Sequence, residues 1–396
     1  MCGITGWIDW QHDLRKEEKE MLRMSKTLHH RGPDDMNVWS SKHAALGHTR
    51  LVVVDPEGGV QPMKRTVNGK DYLLVYNGEL YNTEELRAEL LKAGHSFQGH
   101  SDTEVLLVAY IEWGYQCLER LNGIFAFAIW NDKSESLFMA RDRMGVKPLF
   151  YTVRNGSLLF GSELKAILAH RTCEAVVERE GLAEIIGLSP SRTPGHGIYK
   201  GISELRPGHL LIYDRNGAKV SRYWSLKSKA HQQTTEETAD YIRWLMEDIV
   251  ERQLYADVPV GMFLSGGLDS SALTALAAQV YRRQREEPIR SYSIDYDEND
   301  KYFKANEFQP NADGPWVKQV SEAIGTSHRN AIISVGELTD QLEHAVRVRD
   351  LPGMADIDSS LLWFCQEVKK KKSLSGCPGN VLMRFLADIR GFISLN

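Results

Sequence analysis

No CxxC pair occurs among the five cysteines Cys2, Cys117, Cys173, Cys365 and Cys377. Their odd number and wide spacing exclude a cysteine-rich zinc module and argue against a disulfide framework. No apolar run approaches the roughly 20 residues that a membrane-spanning helix requires. The opening MCGITGWIDW has no basic segment followed by an apolar one, so no secretory leader is expected and the cytoplasm is the expected location. A strong charge of one sign is also missing. With a net charge of −5 and acidic and basic residues mixed along the chain, nothing marks nucleic acid as a partner. Glycine and proline show no bias towards disorder, and 42% hydrophobic with 26% charged residues is an ordinary globular composition.

What is present divides in two. A chain of 396 residues exceeds the size at which one hydrophobic core keeps growing. From residue 2 to 226, short apolar runs such as LLVYNGELYN, FAFAIWND and SLLFGS alternate with turn signals, which predicts a strand-rich domain. Helical spacing predicts helices over 16–28 and 83–93. Residues 227–238 are almost wholly polar and read as a linker. From 239 to 368 the order is helix at 239–253, buried strand before SGGLDSS, helix, strand at SYSID, helix near 316–323 and strand at NAIISV. That alternation predicts a doubly wound α/β domain with a parallel sheet.

The chemistry starts at Cys2. If Met1 is removed, one residue carries both a thiol and a free α-amine. An amine with an ordinary pKa near 8 then takes the thiol proton without any histidine. Downstream come HRGPDD (His30 to Asp35), GHTRL (Gly47 to Leu51), YNGELYN (Tyr76 to Asn82), SDTE (Ser101 to Glu104), FAFAIW and RDRMGVKPLFY. In this order the motifs resemble the class II glutamine amidotransferase domain. With the second half, the chain resembles the glutamine-hydrolysing asparagine synthetases.

The resemblance implies an α+β fold of αββα type for the first domain, helices covering two antiparallel sheets. It makes Cys2 the nucleophile on the glutamine side-chain amide, with the Asn77 amide and the Gly78 N–H as oxyanion donors. Arg50 would grip the substrate α-carboxylate; Glu79 and Asp102 would receive its α-ammonium. Leu51, Val52, Val53 and Val54 would line the glutamine site. Each residue also has an ordinary structural role open to it: Arg50 a surface ion pair, Asn77-Gly78 a hairpin turn, Asp102 a helix cap. His29, His30 and Asp34 are left as structural or loop residues.

In the second domain, Ser265, Gly266, Gly267, Leu268, Asp269 and Ser270 follow PVGMFL and precede a helical pattern. Glycines let backbone N–H groups face a phosphate, and a helix N-terminus adds favourable partial charge. The loop resembles the pyrophosphate loop of the N-type ATP pyrophosphatases. That implies ATP held by Ser265, Gly266, Gly267, Asp269, Ser270 and the backbones of Leu264 and Ile294, with Asp269 binding Mg2+. Enzymes of this type attach AMP to a carboxylate, aspartate being the family's usual one, and ammonia then displaces AMP. A homodimer is an assembly that the resemblance leaves open. Asp350 to Ser360 also resembles the asparagine synthetase branch.

Beyond Val368 the family signature gives way to KKKKSLSGCPGNVLMRFLADIRGFISLN. Synonymous back-translation of Cys377 to Phe392, read one base earlier, yields Leu-Ser-Gly-Glu-Cys-Ala-Asp-Glu-Ile-Phe-Gly-Gly-Tyr-Pro-Trp-Phe, the family's second signature. Residues 369–396 are therefore expected to be an out-of-frame tail after a slip in an adenine tract, without native packing partners and either disordered or falsely ordered, with the synthetase half impaired. Resequencing that tract tests this reading. The rivals are a stand-alone glutaminase or non-catalytic remnant, and a related amidating or cyclising enzyme such as a β-lactam synthetase.

Overall fold

Period-2 alternation builds the first half. The computed structural model describes residues 1–373 and 382–384, apart from Glu286, Phe308 and Gln309. These form two compact units, one of Met1–Lys227 with Arg349–Pro352, the other of Ser228–Val348 and the described residues from Gly353 onward.

The first unit contains two six-stranded sheets. One runs in the order β10 (Ser203–Glu204), β8 (Phe150–Arg154), β9 (Ser157–Gly161), β1 (Gly3–Asp9), β3 (Ala44–Arg50) and β2 (Asp35–Ser40). The other runs β12 (Gly217–Arg222), β11 (His209–Asp214), β7 (Ser136–Arg141), β6 (Gly123–Asn131), β5 (Lys70–Leu80) and β4 (Met63–Val67). All neighbouring strands are antiparallel. Alternate residues of each strand face the opposing sheet, so Ile4, Ile8, Ala44 and Leu46 meet Leu73, Val75, Ala126, Ala128 and Trp130 in a dry interlayer core. The other faces take helices. Trp7 and Ala45 pack against α1 (Glu18–Lys26) and α5 (Leu164–Leu168), while Leu74, Tyr76 and Phe127 pack against α2 (Thr83–Lys92), α3 (Asp102–Trp113) and α4 (Cys117–Arg120). The layering is αββα, as the motifs imply; α6 (Arg179–Leu188) follows outside it.

In the second unit β13 (Val260–Phe263), β14 (Arg290–Tyr296) and β15 (Ser327–Ile333) are parallel. One side of this sheet packs Val260 and Met262 against α7 (Thr235–Gln253) and α8 (Leu268–Gln284). The other side sets Tyr292, Ala331 and Ile333 against Trp363 and Phe364 of a later helix. Helices on both faces make the unit doubly wound. The remaining helices are α9 (Asn299–Tyr302), α10 (Asp313–Ile324), α11 (Val335–Arg349) and α12 (Ala355–Ser373). Among the described residues, no helix is long and apolar enough to cross a membrane.

One expectation needs correction. The helix expected from residue 239 begins at Thr235, because Thr234 and Glu237 form a capping box that satisfies the first N–H groups within the polar stretch. Of residues 369–396, the structure describes 369–373 and 382–384. The helix α12 continues through the lysine run to Ser373, as a good helix former near a helix C-terminus allows, and β16 (Leu382–Arg384) pairs parallel with β13. A free strand edge accepts any extended segment that reaches it. The other residues of that segment lie outside the described residues.

Candidate active site

The interlayer alternation continues past the apolar core and there turns polar. On β1 the series Ile8, Gly6, Ile4 leads back to Cys2; on β3 it runs Ala44, Leu46, His48, Arg50; on β5 it runs Leu73, Val75, Asn77, Glu79. Side chains two apart share a face, so Cys2, Arg50, Asn77 and Glu79 follow on from the core face of their strands. His48 links the two sheets there, its Nε2 lying 3.2 Å from the Tyr76 carbonyl oxygen. Burial pushes its imidazole down to about 3, so it is neutral and structural.

Cys2 is half-buried, and its Sγ lies against the backbone of Leu51, accepting from that N–H at 3.4 Å. The Met1 amine is pushed down to about 5, first by burial and then by the charges of Arg31 and Lys147, against the opposing fields of Cys2 and Glu79. Positive side chains and Glu79 thus act on the point where the chain's α-amine sits.

Asn77 lies inside β5 opposite Ala126, not in a hairpin turn. It is 1% exposed, and its Nδ2 has no hydrogen-bond partner among the described residues. An orphaned buried amide donor costs about 1–3 kcal/mol, which points to an acceptor supplied from outside the chain. At Gly78 a Cβ would meet the Ile124 carbonyl oxygen at 2.4 Å and Tyr76 at 2.5 Å, so only glycine fits.

Arg50 is buried rather than in a surface ion pair; its NH2 and NH1 donate to the Asp55 and Pro56 carbonyls at 2.7 and 2.6 Å. Those bonds hold the guanidinium plane and use two of its five N–H donors. The loop 51–54 follows directly, with Val52 N–H donating to Asp34 at 2.8 Å. The HRGPDD turn sets this geometry. A Cβ on Gly32 would strike the Thr49 and Arg50 backbone at 2.3–2.4 Å, and the Asp34 N–H donates to the Arg50 carbonyl.

Asp102 opens α3, but the cap is Ser101, whose hydroxyl accepts from Glu104 N–H. The Asp102 carboxylate instead accepts from Tyr76 Oη at 2.9 Å and Leu80 N–H at 3.1 Å. Burial raises it to about 6, with the nearby charge of Glu79 adding to the rise against those hydrogen bonds. Sequence reading assigned no role to Tyr76, although it stands inside the YNGELYN motif, nor to Arg31, whose Nε donates to the Cys2 carbonyl at 2.9 Å.

In the second unit Ser265–Ser270 joins β13 to α8, with Gly267 at the N-cap. Gly266 has φ +78, and a Cβ there would meet Trp316 at 2.9 Å. The Ser265 and Ser270 hydroxyls lie 3.0 Å apart, and Asp269 is in the first helical turn. Leu264 is buried with its N–H on the Tyr292 carbonyl, while Ile294 lies on the neighbouring β14. Exposed loop, serine hydroxyls and helix N-terminus suit a phosphate chain. Among the described residues, no group of three His, Cys, Asp or Glu side chains is placed to hold a metal, so an ion at Asp269 would need oxygens from that phosphate chain as well.

A glutamine amidotransferase domain family matches residues 1–224, and an asparagine synthase family matches residues 241–382. The chain is 57% identical over 378 residues to asparagine synthetase (glutamine-hydrolyzing) 3 of Bacillus subtilis, covering 95% of this chain and 62% of that one. It is 30% identical over 373 residues to "Putative asparagine synthetase (glutamine-hydrolyzing) 2" of Methanocaldococcus jannaschii, covering 89% of this chain and 68% of that one. A solved glutamine phosphoribosylpyrophosphate amidotransferase of Bacillus subtilis, complexed with ADP and GMP, aligns over 74% of this chain and 75% of that one, at 18% identity and a TM-score of 0.44. The chain spans 62% and 56% of the length of two Bacillus subtilis relatives.

Proposed function

Since this chain belongs to the family of glutamine-hydrolysing asparagine synthetases, we propose that its first unit hydrolyses glutamine to glutamate and ammonia, and that its second carries the ATP-binding part of the half that amidates aspartate in this family. The observation that carries the reading is the unpartnered, buried Asn77 amide on β5, on the strand face that continues the interlayer core, as the alternation of β1 leads back to Cys2.

In this reading Met1 is removed and the Cys2 α-amine takes the thiol proton. Burial and the positive charges of Arg31 and Lys147, which together depress the Met1 amine, would also favour the neutral form of an amine at Cys2, the form that accepts a proton. The thiolate attacks the glutamine δ-carbon, and the oxygen that becomes negative accepts from Asn77 Nδ2 and Gly78 N–H. Ammonia leaves with the proton taken from the thiol, and water releases glutamate from the thioester. Arg50 holds the α-carboxylate with its remaining N–H donors; Glu79 and Asp102 hold the α-ammonium.

In the second unit a carboxylate oxygen of aspartate attacks the α-phosphorus of ATP and pyrophosphate leaves; ammonia then displaces AMP. Ser265 to Ser270 would hold the phosphates, and Leu264 and Ile294 the adenosine. Mg2+ at Asp269 would neutralise phosphate charge. This chemistry belongs in the cytoplasm, where glutamine, aspartate and ATP are at hand.

Two outcomes follow. Glutamine binding to Cys2→Ala protein should weaken as pH falls below about 6, because the raised Asp102 carboxyl is protonated there and no longer pairs with the ammonium. Calorimetric Kd should be flat from pH 8 to 6.5 and rise by up to about tenfold per unit well below pH 6. An equally steep rise in Asp102→Asn would remove Asp102 from the site. Asp269→Ala should weaken Mg·ATP binding by at least about tenfold, since even outer-shell metal partners are worth that much. Unchanged affinity by calorimetry would contradict the loop assignment.

A further inference from the structure

The strand that follows Cys2 is held from behind by residues that the glutaminase chemistry does not use. After β9 the chain turns at Ser162 and Glu163, which are 0% and 2% exposed. Ser162 grips the residue two beyond the nucleophile on both sides: its hydroxyl accepts from Ile4 N–H at 3.0 Å and its own N–H donates to the Ile4 carbonyl at 2.9 Å. Glu163 reaches the nucleophile itself through one intermediary. Its Oε1 accepts from Arg31 NH1 at 2.6 Å, and Arg31 Nε donates to the Cys2 carbonyl at 2.9 Å.

The Arg31 side chain is almost wholly buried, and its NH2 has no partner among the described residues. Two bonds therefore fix the guanidinium plane, one to Cys2 and one to Glu163. With a neutral amide in place of the carboxylate, the charge-assisted bond to Arg31 falls to an ordinary one, and the guanidinium plane can swing about its bond to Cys2. The Cys2 carbonyl then loses the donor that fixes its peptide plane, and with it the directions of the thiol and the α-amine.

Resting on the glutaminase reading above, we infer that Glu163 is a positioning residue for the reaction: through Arg31 it aligns the Cys2 backbone so that amine and thiol meet the substrate δ-carbon in a fixed geometry. A displacement of about 1 Å at a reacting group lowers rates by about a hundredfold, so the effect belongs in kcat. Glutamine affinity is set by Arg50, Glu79 and Asp102, none of which contacts Glu163 in the bonds above. The titratable and charged groups around Glu163 are His30 at 3.1 Å, Arg31 and Lys165, and Lys165 is shared with Asp350 at 3.1 Å. Against the burial that would raise it, these partners hold the Glu163 carboxyl well below the usual carboxylate range, so it stays ionised.

The test is a double-mutant cycle on glutamate release, with kcat and KM measured for wild type, Glu163→Gln, Arg31→Ala and the double variant. Alkylation of Cys2 by iodoacetamide, which needs no glutamine turnover, is followed in parallel. The expected result is a 10- to 100-fold lower kcat in Glu163→Gln with KM for glutamine within about twofold, partial recovery in Glu163→Asp, and no further loss when Glu163→Gln is added to Arg31→Ala. Cys2 alkylation should change severalfold in both single variants. Additive losses in the cycle, or a rise in KM matching the fall in kcat, would overturn the inference, the first because Glu163 then acts apart from Arg31, the second because the whole site has loosened. Wild-type turnover with an unchanged Glu163→Gln also overturns it while leaving the glutaminase reading intact. Absence of glutamate release from the wild type refutes that reading instead, and the alkylation rates then decide whether Glu163 still aligns the thiol.

Discussion

Cys2→Ala is expected to reduce glutamate release by roughly 10⁴-fold or more, the scale on which removing a nucleophile abolishes covalent catalysis. No other thiol in the first unit stands ready to replace it. Cys117 is fully buried between α4 and the sheet, where desolvation pushes its thiol up to about 12. Cys173, beyond α5, is also raised by burial. Because Cys2 precedes β1 and only its Sγ contacts Leu51, the fold should survive; the melting temperature should move by no more than a few degrees. Side-by-side assay of glutamate release and thermal melting separates lost chemistry from lost structure. Residual turnover within tenfold of wild type would mean that another group is the nucleophile.

Asn77→Ala should behave differently from an ordinary core truncation. Removing one oxyanion donor typically lowers kcat by about 10²–10³-fold. Removing a hydrogen-bonded buried amide would also cost stability, but the Asn77 Nδ2 has no partner in the free protein. Its deletion removes an unsatisfied donor along with some packing, so the two effects oppose each other. The expected outcome is a kcat lower by two to three orders of magnitude at a melting temperature near that of wild type. A large stability loss with modest loss of kcat would assign Asn77 to the fold instead.

Much of the architecture was readable because both units follow simple periods. Alternating runs such as LLVYNGELYN gave the β5 face that packs against the opposing sheet, and the same alternation, carried two residues further, delivers Asn77 and Glu79. The strand, glycine turn and helix around Ser265 were legible from an apolar run, two glycines and a helical pattern in immediate succession. The start of α7 was misplaced because its first turn is polar throughout. A capping box, not hydrophobicity, starts that helix, and Thr234 with Glu237 would have signalled it. The supporting residues were hidden for another reason. Glu163 lies 132 residues from Arg31 in sequence, and Tyr76 lies 26 from Asp102. Local spacing carries no information about such pairs; the fold alone brings them together. Arg31 and Tyr76 stood in motifs already singled out, but only the structure shows what their side chains touch.

The most direct test of the central claim is mass spectrometry of the N-terminal peptide after the purified chain is mixed with glutamine and quenched in acid. The account predicts a peptide that begins at Cys2, with Met1 removed, and that carries one γ-glutamyl group on its thiol. Glutamine turnover by a chain that retains Met1, or a γ-glutamyl group found on any other residue, would contradict it.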